Sequence, residues 1–243
     1  MGMQPRPEEI WLWLATPAPQ LEGDPADDDG SAGFLPLLND AERDRLHRFR
    51  FARDRWSFGA AHAGLRALLS TMLDVPAPRI ELAQSPQGKP LLSRDYFGSA
   101  LSDALQFNIS HTRGMVAVAL SGRPVGVDVE QMRPLPDMRQ LVVDLMAPEA
   151  VAAFDGTTNP SERLDLFFRF WSLGEAFIKA TGLGLDQGLD SFAFTATGEP
   201  FLTRVTPGWG HVGRWRLGHA SCGRGGWDWQ QADCPPLAAV SVN

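Results

Sequence analysis

A helical pattern of apolar residues over residues 161–181 constrains the fold of this chain more than any other segment. Six apolar residues recur there at helical spacing and form one broad face, which is typical of a helix that packs on a core. They are Leu164, Phe167, Phe168, Trp171, Ala176 and Ile178. Gly182 follows as a stop signal. The sequence therefore predicts one long, largely buried helix in the second half of the chain.

Segments of both helical and β-like pattern surround this helix. Further helices are predicted from Asn39 or Asp40 to about residue 51, over 54–73 and over 138–154. Strands are predicted over 10–15, 80–83, 107–110, 115–120, 125–130, 192–195, 201–204, 214–219, 227–231 and 237–242. Residues 16–38, rich in Pro, Gly and Asp, predict a loop. Because helices and strands are mixed without strict alternation, the predicted fold class is α+β.

Composition excludes several classes of partner. The 29 acidic residues outnumber the 22 basic ones, giving a formal charge of −7, which argues against a nucleic-acid-binding protein. No apolar run reaches the length of a membrane span, and the N-terminus lacks the pattern of a signal peptide. Cys222 and Cys234 lack the spacing of a disulfide framework or a zinc site. We expect a soluble cytoplasmic protein with no nucleic-acid or membrane partner.

The segment Gly126-Val127-Asp128-Val129-Glu130 places two carboxylates on one side of a predicted strand, because residues two apart point the same way. Two adjacent anions repel unless a cation lies between them, and oxygen ligands suit a hard divalent cation. The alternative is a strand end with two solvated acids.

Glu175 and Lys179 lie four residues apart, and hence on one face of the predicted long helix. They are either an ordinary surface ion pair or a third metal ligand with a cation for a phosphate. Ser110 and His111 end another predicted strand; adjacent strand residues point to opposite faces, so a hydrolase pair is excluded. They fit either hydrogen-bond donors to a phosphate or a capped turn with a structural histidine.

Two further basic features accompany these acids. In the loop Gly88-Lys89-Pro90, the glycine allows a tight turn and the proline stiffens it, so Lys89 is presented at a fixed place. Six arginines cluster in an otherwise acidic protein, either as a solvated helix with ion pairs or as a basic rim for a multiply charged anion. They are Arg43, Arg45, Arg48, Arg50, Arg53 and Arg55.

Taken in order, the motifs Gly-Lys-Pro, Phe-Asn-Ile-Ser-His, Gly-Val-Asp-Val-Glu and Trp-Ser-Leu-Gly-Glu-Ala-Phe-Ile-Lys-Ala-Thr-Gly resemble those of the surfactin-type (Sfp-type) 4′-phosphopantetheinyl transferases. The likeness extends from about Arg48 to Leu189. It implies a pseudo-twofold monomer of two similar α/β subdomains, over 1–122 and 123–243, with the active site in the cleft between them.

The resemblance also implies an activity: Mg²⁺-dependent transfer of 4′-phosphopantetheine from coenzyme A to a serine of an acidic apo acyl or peptidyl carrier protein, releasing 3′,5′-ADP. Such carriers serve fatty acid, polyketide or nonribosomal peptide biosynthesis. By motif, the metal ligands are Asp128, Glu130 and Glu175, and the catalytic residues are Glu175, as base, and Lys179. The implied contacts to coenzyme A are Lys89, Ser110, His111 and Lys179.

Two positions depart from the family pattern. Gly174 stands where the family has lysine, and Ser57 stands about where it often has an arginine for the 3′-phosphate. Arg53 or Arg55 is expected to replace that arginine. The alternative is a degenerate member that binds coenzyme A or a carrier with little or no turnover. If the lysine is simply missing, Gly174→Lys is expected to raise kcat/KM.

We expect the carrier to dock on segment 131–146, directly after the acidic strand. Arg133 and Arg139 are predicted to meet its acidic residues. Met132, Leu135 and Met138 either meet its apolar patch or pack inside the protein.

Overall fold

The computed structural model describes residue 5, residues 9–16, 30–205 and 210–220, and the backbone of 238–242. It contains helices and strands in mixed order, which confirms the predicted α+β class. Within these residues, no helix is both long enough and apolar enough to span a membrane.

The first half of the chain holds four helices and five strands among the described residues. In chain order they are β1 (Ile10–Ala15), α1 (Asp40–Arg48), α2 (Ala52–Leu73), β2 (Leu82–Gln84), β3 (Pro90–Leu92), α3 (Arg94–Phe97), α4 (Ser99–Ala104), β4 (Gln106–Thr112) and β5 (Met115–Ser121). Short 3-10 helices cover Ser31–Leu37 and Ala77–Arg79.

The second half, as far as it is described, holds three helices and five strands. They are β6 (Val125–Val129), α5 (Met138–Leu145), α6 (Pro148–Gly156), α7 (Pro160–Thr181), β7 (Phe192–Phe194), β8 (Leu202–Val205), β9 (Arg216–Ala220) and β10 (Ala238–Val242). Short 3-10 helices cover Gly184–Gln187, Leu189–Ser191 and Val212–Arg214.

The order of elements repeats between the halves. Each half has a three-stranded sheet, in the order β1-β5-β4 or β6-β10-β9, and a two-stranded hairpin, β2-β3 or β7-β8. Each also has one helix of 22 residues, α2 or α7. The strands of the first sheet are antiparallel, whereas β10 runs parallel to both of its neighbours. Two similar α/β units therefore form the fold, as the resemblance implied; the boundary at residue 122 stays a prediction.

A buried ion pair fixes the helices of the first half. The side chain of Asn39 caps α1 and forms a capping box with Glu42. The Glu42 carboxylate also accepts a hydrogen bond from Arg66 on α2, whose side chain is 1% exposed. Arg66 donates in addition to the carbonyl oxygens of Ala77 and Ile80. A buried guanidinium is tolerated because all these acceptors compensate it.

The second half is built on the contact between α7 and β6. A Cβ atom added to Gly126 of β6 would lie 2.0 Å from the carbonyl oxygen of Ala176 and 2.4 Å from the amide nitrogen of Ala180. Only glycine lets the helix backbone lie this close to the strand. This approach brings the side chains of α7 to the acidic end of β6.

Most predicted elements are confirmed, and the differences have local causes. Residues 31–37, predicted as part of a loop, form a 3-10 helix, and β3, α3 and α4 were too short to show a period in the sequence. The predicted strand 227–231, the loop residues 17–29 and both cysteines lie outside the described residues.

Candidate functional site

Asp128 of β6 is the centre of the candidate site. It is 4% exposed, and its Oδ1 atom accepts hydrogen bonds from Ser110 Oγ at 3.0 Å and from Lys179 Nζ at 2.6 Å. The neighbouring strand β4 is held beside β6 by Asn108, whose Oδ1 accepts from the amide of Val127 at 3.0 Å. This role of Asn108 was not predicted from the sequence; the available signal was its alternation with Phe107 and Ile109, which places it on the same face of β4 as Ser110.

Lys179 links the two strands to α7. Its Nζ donates to Ser110 Oγ at 2.9 Å as well as to Asp128, and its side chain is 28% exposed. The ammonium therefore neutralises part of the acidic charge while keeping a face toward solvent. A cation held in this way can also meet an incoming phosphate.

Glu130 and Glu175 complete an acidic cluster around Asp128. Trp171 of α7 donates from Nε1 to Glu130 Oε1 at 3.0 Å, a contact not predicted from the sequence. The pKa of Glu130 is raised, first by burial and then by the charge of Asp128. Burial also raises the pKa of Glu175, with Lys179 opposing and Asp128 adding to the shift. The structure thus brings the three predicted metal ligands into one electrostatic neighbourhood.

The chemistry of these three carboxylates, rather than their present spacing, suits a divalent cation. Asp128 Oδ2 is buried and has no hydrogen-bond partner, so one carboxylate oxygen is unsatisfied beside two carboxyl groups with raised pKa values. Carboxylate oxygens are the ligands that Mg²⁺ prefers. In the described part of the chain, no three His, Cys, Asp or Glu side chains form a group ready to hold a metal ion. Metal binding at these acids stays a prediction.

Ser110 and His111 point to different surroundings, as their adjacency on a strand requires. Ser110 is buried against Asp128, whereas His111 is exposed. The imidazole pKa of His111 is lowered, first by its partial removal from solvent and then by the charges of Lys179, His62 and Arg45, against an opposing effect of Asp54. Cationic groups therefore continue from the acidic cluster past His111 toward α1.

Arg45 is better placed on this path than the two arginines predicted from the sequence. Its guanidinium lies over the Phe58 ring, 5.1 Å from the ring centroid. Arg55 Nη1 instead donates to the carbonyl oxygens of Phe49 and Arg50, and Arg53 Nε lies 3.6 Å from Asp54 Oδ1. Arg55 and Arg53 therefore make local contacts, and their predicted binding of coenzyme A stays a prediction.

Lys89 contacts main-chain groups of the second half. Its Nζ donates to the carbonyl oxygens of Val125 at 3.0 Å and Lys179 at 2.8 Å. Burial lowers its pKa to about 8. The side chain lines an open groove of about 560 Å³, together with Ser85, Arg123, Thr181 and others.

The surroundings of Gly174 show what a side chain at this position would meet. Gly174 is buried, and a Cβ atom added there would lie 2.5 Å from Leu189 Cδ2 and 3.5 Å from Phe192 Cε2. The position therefore faces the apolar core of the second half. Any side chain at residue 174 would begin in the space that Leu189 occupies.

The predicted docking segment divides into buried and exposed parts. Met132, Leu135 and Met138 pack against the core, which favours the second of the two alternatives for them. The exposed apolar side chains on α5 are Val143, at 42%, and Leu145, at 40%.

The two arginines of this segment also differ. Arg139 forms two hydrogen bonds of 2.9 Å with Asp155, so its charge is already paired. Arg133 is exposed.

Two family models together cover most of the chain. The model described as 4′-phosphopantetheinyl transferase, N-terminal, matches residues 25–123, and the model of the 4′-phosphopantetheinyl transferase superfamily matches 124–225. A Synechocystis protein that carries the same transferase name is 31% identical over 177 residues, which are 72% of this chain and 69% of that protein. The 4′-phosphopantetheinyl transferase HetI of Nostoc is 29% identical over 207 residues, 83% of this chain and 81% of HetI. An L-aminoadipate-semialdehyde dehydrogenase-phosphopantetheinyl transferase of Pongo abelii is 32% identical over 63% of this chain and 51% of its own length.

Proposed function

Since this chain belongs to the 4′-phosphopantetheinyl transferase superfamily, we propose that it transfers 4′-phosphopantetheine from coenzyme A to a serine of an apo acyl or peptidyl carrier protein. The single observation that carries this proposal is the cluster of Asp128, Glu130 and Glu175 around Lys179. Three acids with one ammonium leave negative charge that a divalent cation would balance. We further propose that the chain is of the surfactin type, on the motifs quoted above.

The acids and Lys179 have separate roles in this reaction. Asp128, Glu130 and Glu175 would hold Mg²⁺, which when bound supplies positive charge at the diphosphate of coenzyme A. Lys179, already 2.6 Å from Asp128 Oδ1, adds a second positive charge where the leaving 3′,5′-ADP becomes more negative. Glu175, on the same face of α7 as Lys179, is the proposed base that accepts the proton of the carrier serine.

Positive charge beyond the acidic cluster suits the end of coenzyme A that carries the 3′-phosphate. The 3′-phosphate is separated from the diphosphate by the ribose, so it needs a second cationic site. Arg45 supplies the positive charge of that site, and His111, whose lowered pKa leaves it neutral at pH 7, supplies a hydrogen bond. Arg45 thereby replaces the arginine that Ser57, which is buried in α2, does not provide.

The carrier would approach along α5. Arg133, which follows the acidic strand in sequence, offers a positive charge, and α5 offers two exposed apolar side chains, Val143 and Leu145. Acidic carriers with an apolar patch complement this surface, and charge complementarity chiefly speeds and orients docking.

Intact-protein mass spectrometry of apo carriers tests the proposed function. The full chain, coenzyme A and Mg²⁺ should convert an apo carrier to a form heavier by one 4′-phosphopantetheine, and 3′,5′-ADP should appear in equal amount. A degenerate member would bind coenzyme A without this gain in carrier mass. Hydrolysis of coenzyme A without a modified carrier would contradict the proposal in favour of another phosphoryl-transfer enzyme.

A further inference from the structure

The side chain of Lys89 crosses from one half of the molecule to the other. It starts in the loop between β2 and β3 and ends on the carbonyl oxygens of Val125, which begins β6, and Lys179, in the last turn of α7. These contacts join residues 36 and 90 positions apart in the sequence. The ammonium therefore binds the two elements that carry the acidic cluster, at their end away from Glu130.

The contact with Lys179 is a helix cap supplied from outside the helix. The last four carbonyl groups of a helix lack partners within it. The carbonyl oxygen of Ile178 accepts from the Gly182 amide at 3.0 Å and from Thr181 Oγ1 at 2.8 Å. The next carbonyl, of Lys179, is taken by Lys89 Nζ. A positive charge at a helix C-terminus also interacts favourably with the helix dipole.

Lysine is a rare residue in this chain, and both of its lysines take part in this contact. Lys89 and Lys179 are the only lysines among 22 lysines and arginines. Lys89 holds the main chain of residue 179, while the side chain of Lys179 holds Asp128 and Ser110. The stem of Lys89 passes Gly182, where a Cβ atom would lie 3.8 Å from Lys89 Cδ. A compact ammonium can donate to both carbonyl oxygens at once, whereas a guanidinium donates in a fixed planar fork.

We propose that Lys89 is a positioning residue that caps α7 and thereby fixes Lys179 and Glu175 opposite Asp128, its side chain acting on the protein rather than on coenzyme A. The inference rests on the proposed function and replaces the predicted contact between Lys89 and the nucleotide. The reason is geometric: the 2.6 Å contact between Lys179 and Asp128 depends on where α7 lies along β6. Lys89 holds both elements at once.

Steady-state kinetics of Lys89→Met, measured with a modifiable apo carrier, separate this role from substrate binding. We expect kcat to fall roughly 10- to 100-fold, as for a misplacement of about 1 Å, with KM for coenzyme A changed less than about twofold. Arg94→Met, which removes an exposed cation of the same half, should leave both constants unchanged. A rise in KM at unchanged kcat would overturn the inference, because it would show direct contact with coenzyme A.

A double-mutant cycle tests whether Lys89 acts through Lys179. Lys89→Met should lower kcat much less in a Lys179→Met background than in the wild type, since the group that it positions is then gone. If Lys89→Met lowered kcat by the same factor in both backgrounds, that result would contradict the inference.

Amide hydrogen exchange gives a readout that needs no turnover. Lys89→Met should speed exchange of the amides of Ala180, Thr181 and Gly182 several-fold, because the last turn of α7 loses its cap. If the wild-type chain modified no carrier, the proposed function would fail while this exchange result could still hold. Unchanged exchange in the Lys89→Met variant would show that Lys89 does not cap α7.

Discussion

Lys179 Nζ lies 2.6 Å from Asp128 Oδ1, which makes this ion pair the link between α7 and β6 at the candidate site. The Asp128 carboxylate is 5% exposed and the Lys179 side chain 28% exposed, so the pair is shielded from water on one side only. Its removal should affect both the stability of the fold and the chemistry of the site.

Lys179→Met should lower the free energy of unfolding by about 1–3 kcal/mol, less than for a fully buried pair because Lys179 is partly exposed. The loss arises because Asp128 is left buried with Ser110 as its remaining donor. Chemical denaturation measures it. Arg204→Met, which breaks an exposed pair with Glu149, is the matched control and should cost less than about 1 kcal/mol. Equal losses in the two variants would contradict the prediction.

Gly126→Ala should destabilise the protein by about 3 kcal/mol or more, at the upper end of the cost of overpacking. The added methyl group would meet the backbone of α7, which cannot rotate away as a side chain can. Thermal unfolding measures the effect. The control is Gly156→Ala in α6, where an added Cβ has nothing within 4 Å. A Gly126→Ala protein with the Tm of the wild type would show that α7 does not lie on β6 in this way.

Magnesium should raise the Tm of the wild type but not of Asp128→Asn, in which the unsatisfied carboxylate oxygen is replaced.

A separate pH series, measured in the presence of a chelator, tests the direction in which the pKa values of Glu130 and Glu175 are shifted. The pKa values of Glu130 and Glu175 are raised above 4.5, so their charged forms oppose folding.

The stability that their protonation contributes is complete below the unfolded pKa and is lost as the pH rises through the folded one. Without metal, Glu175→Gln should therefore be more stable than the wild type at neutral pH. The difference should shrink as the pH falls toward 4.5. A difference that grew on acidification would contradict the shift for Glu175.

Gly174→Lys should not raise kcat/KM, in contrast to what the sequence alone suggests, because the new side chain must first displace Leu189. Its Tm should fall, and Leu189→Ala should restore part of that loss in the double variant. Leu189→Ala alone is the control. An increase in kcat/KM for the single variant would show that Leu189 moves aside easily and that the lysine reaches the phosphates.

Arg45→Gln should raise KM for coenzyme A about tenfold, as for the loss of one hydrogen bond to a charged group. It should leave KM for 3′-dephospho-coenzyme A unchanged, since that analogue lacks the phosphate that Arg45 is proposed to meet. Arg53→Gln is the matched control, because Arg53 is paired with Asp54. An equal rise in KM for coenzyme A and for 3′-dephospho-coenzyme A would show that Arg45 does not contact the 3′-phosphate.

Sequence periodicity predicted the elements of the site better than its contacts. The spacing of two at the end of β6 and of four on α7 predicted that Asp128 lies near Glu130 and Glu175 near Lys179, and each pair is electrostatically coupled in the structure. The spatial neighbours of Lys89 could not be predicted, since they lie 36 and 90 residues away and depend on how the halves pack.

Gly174 shows the same limit. A motif gives the residue before Glu175 but not the direction in which that residue points relative to Leu189.

The repeated arrangement of helix and sheet carries different side chains at the helix–strand contact in the two halves. In the second half, Gly126 and Asp128 of β6 face α7. In the first half, Trp11 and Trp13 of the corresponding strand β1 face α2. A Cβ atom added to Gly64 of α2 would lie 2.5 Å from the Trp13 ring. Indole rings thus fill the place that carboxylates occupy in the other unit. The molecule is a duplicate in architecture, but the acids proposed to hold the metal lie in its second half, so calorimetric titration with coenzyme A should saturate at one molecule per chain.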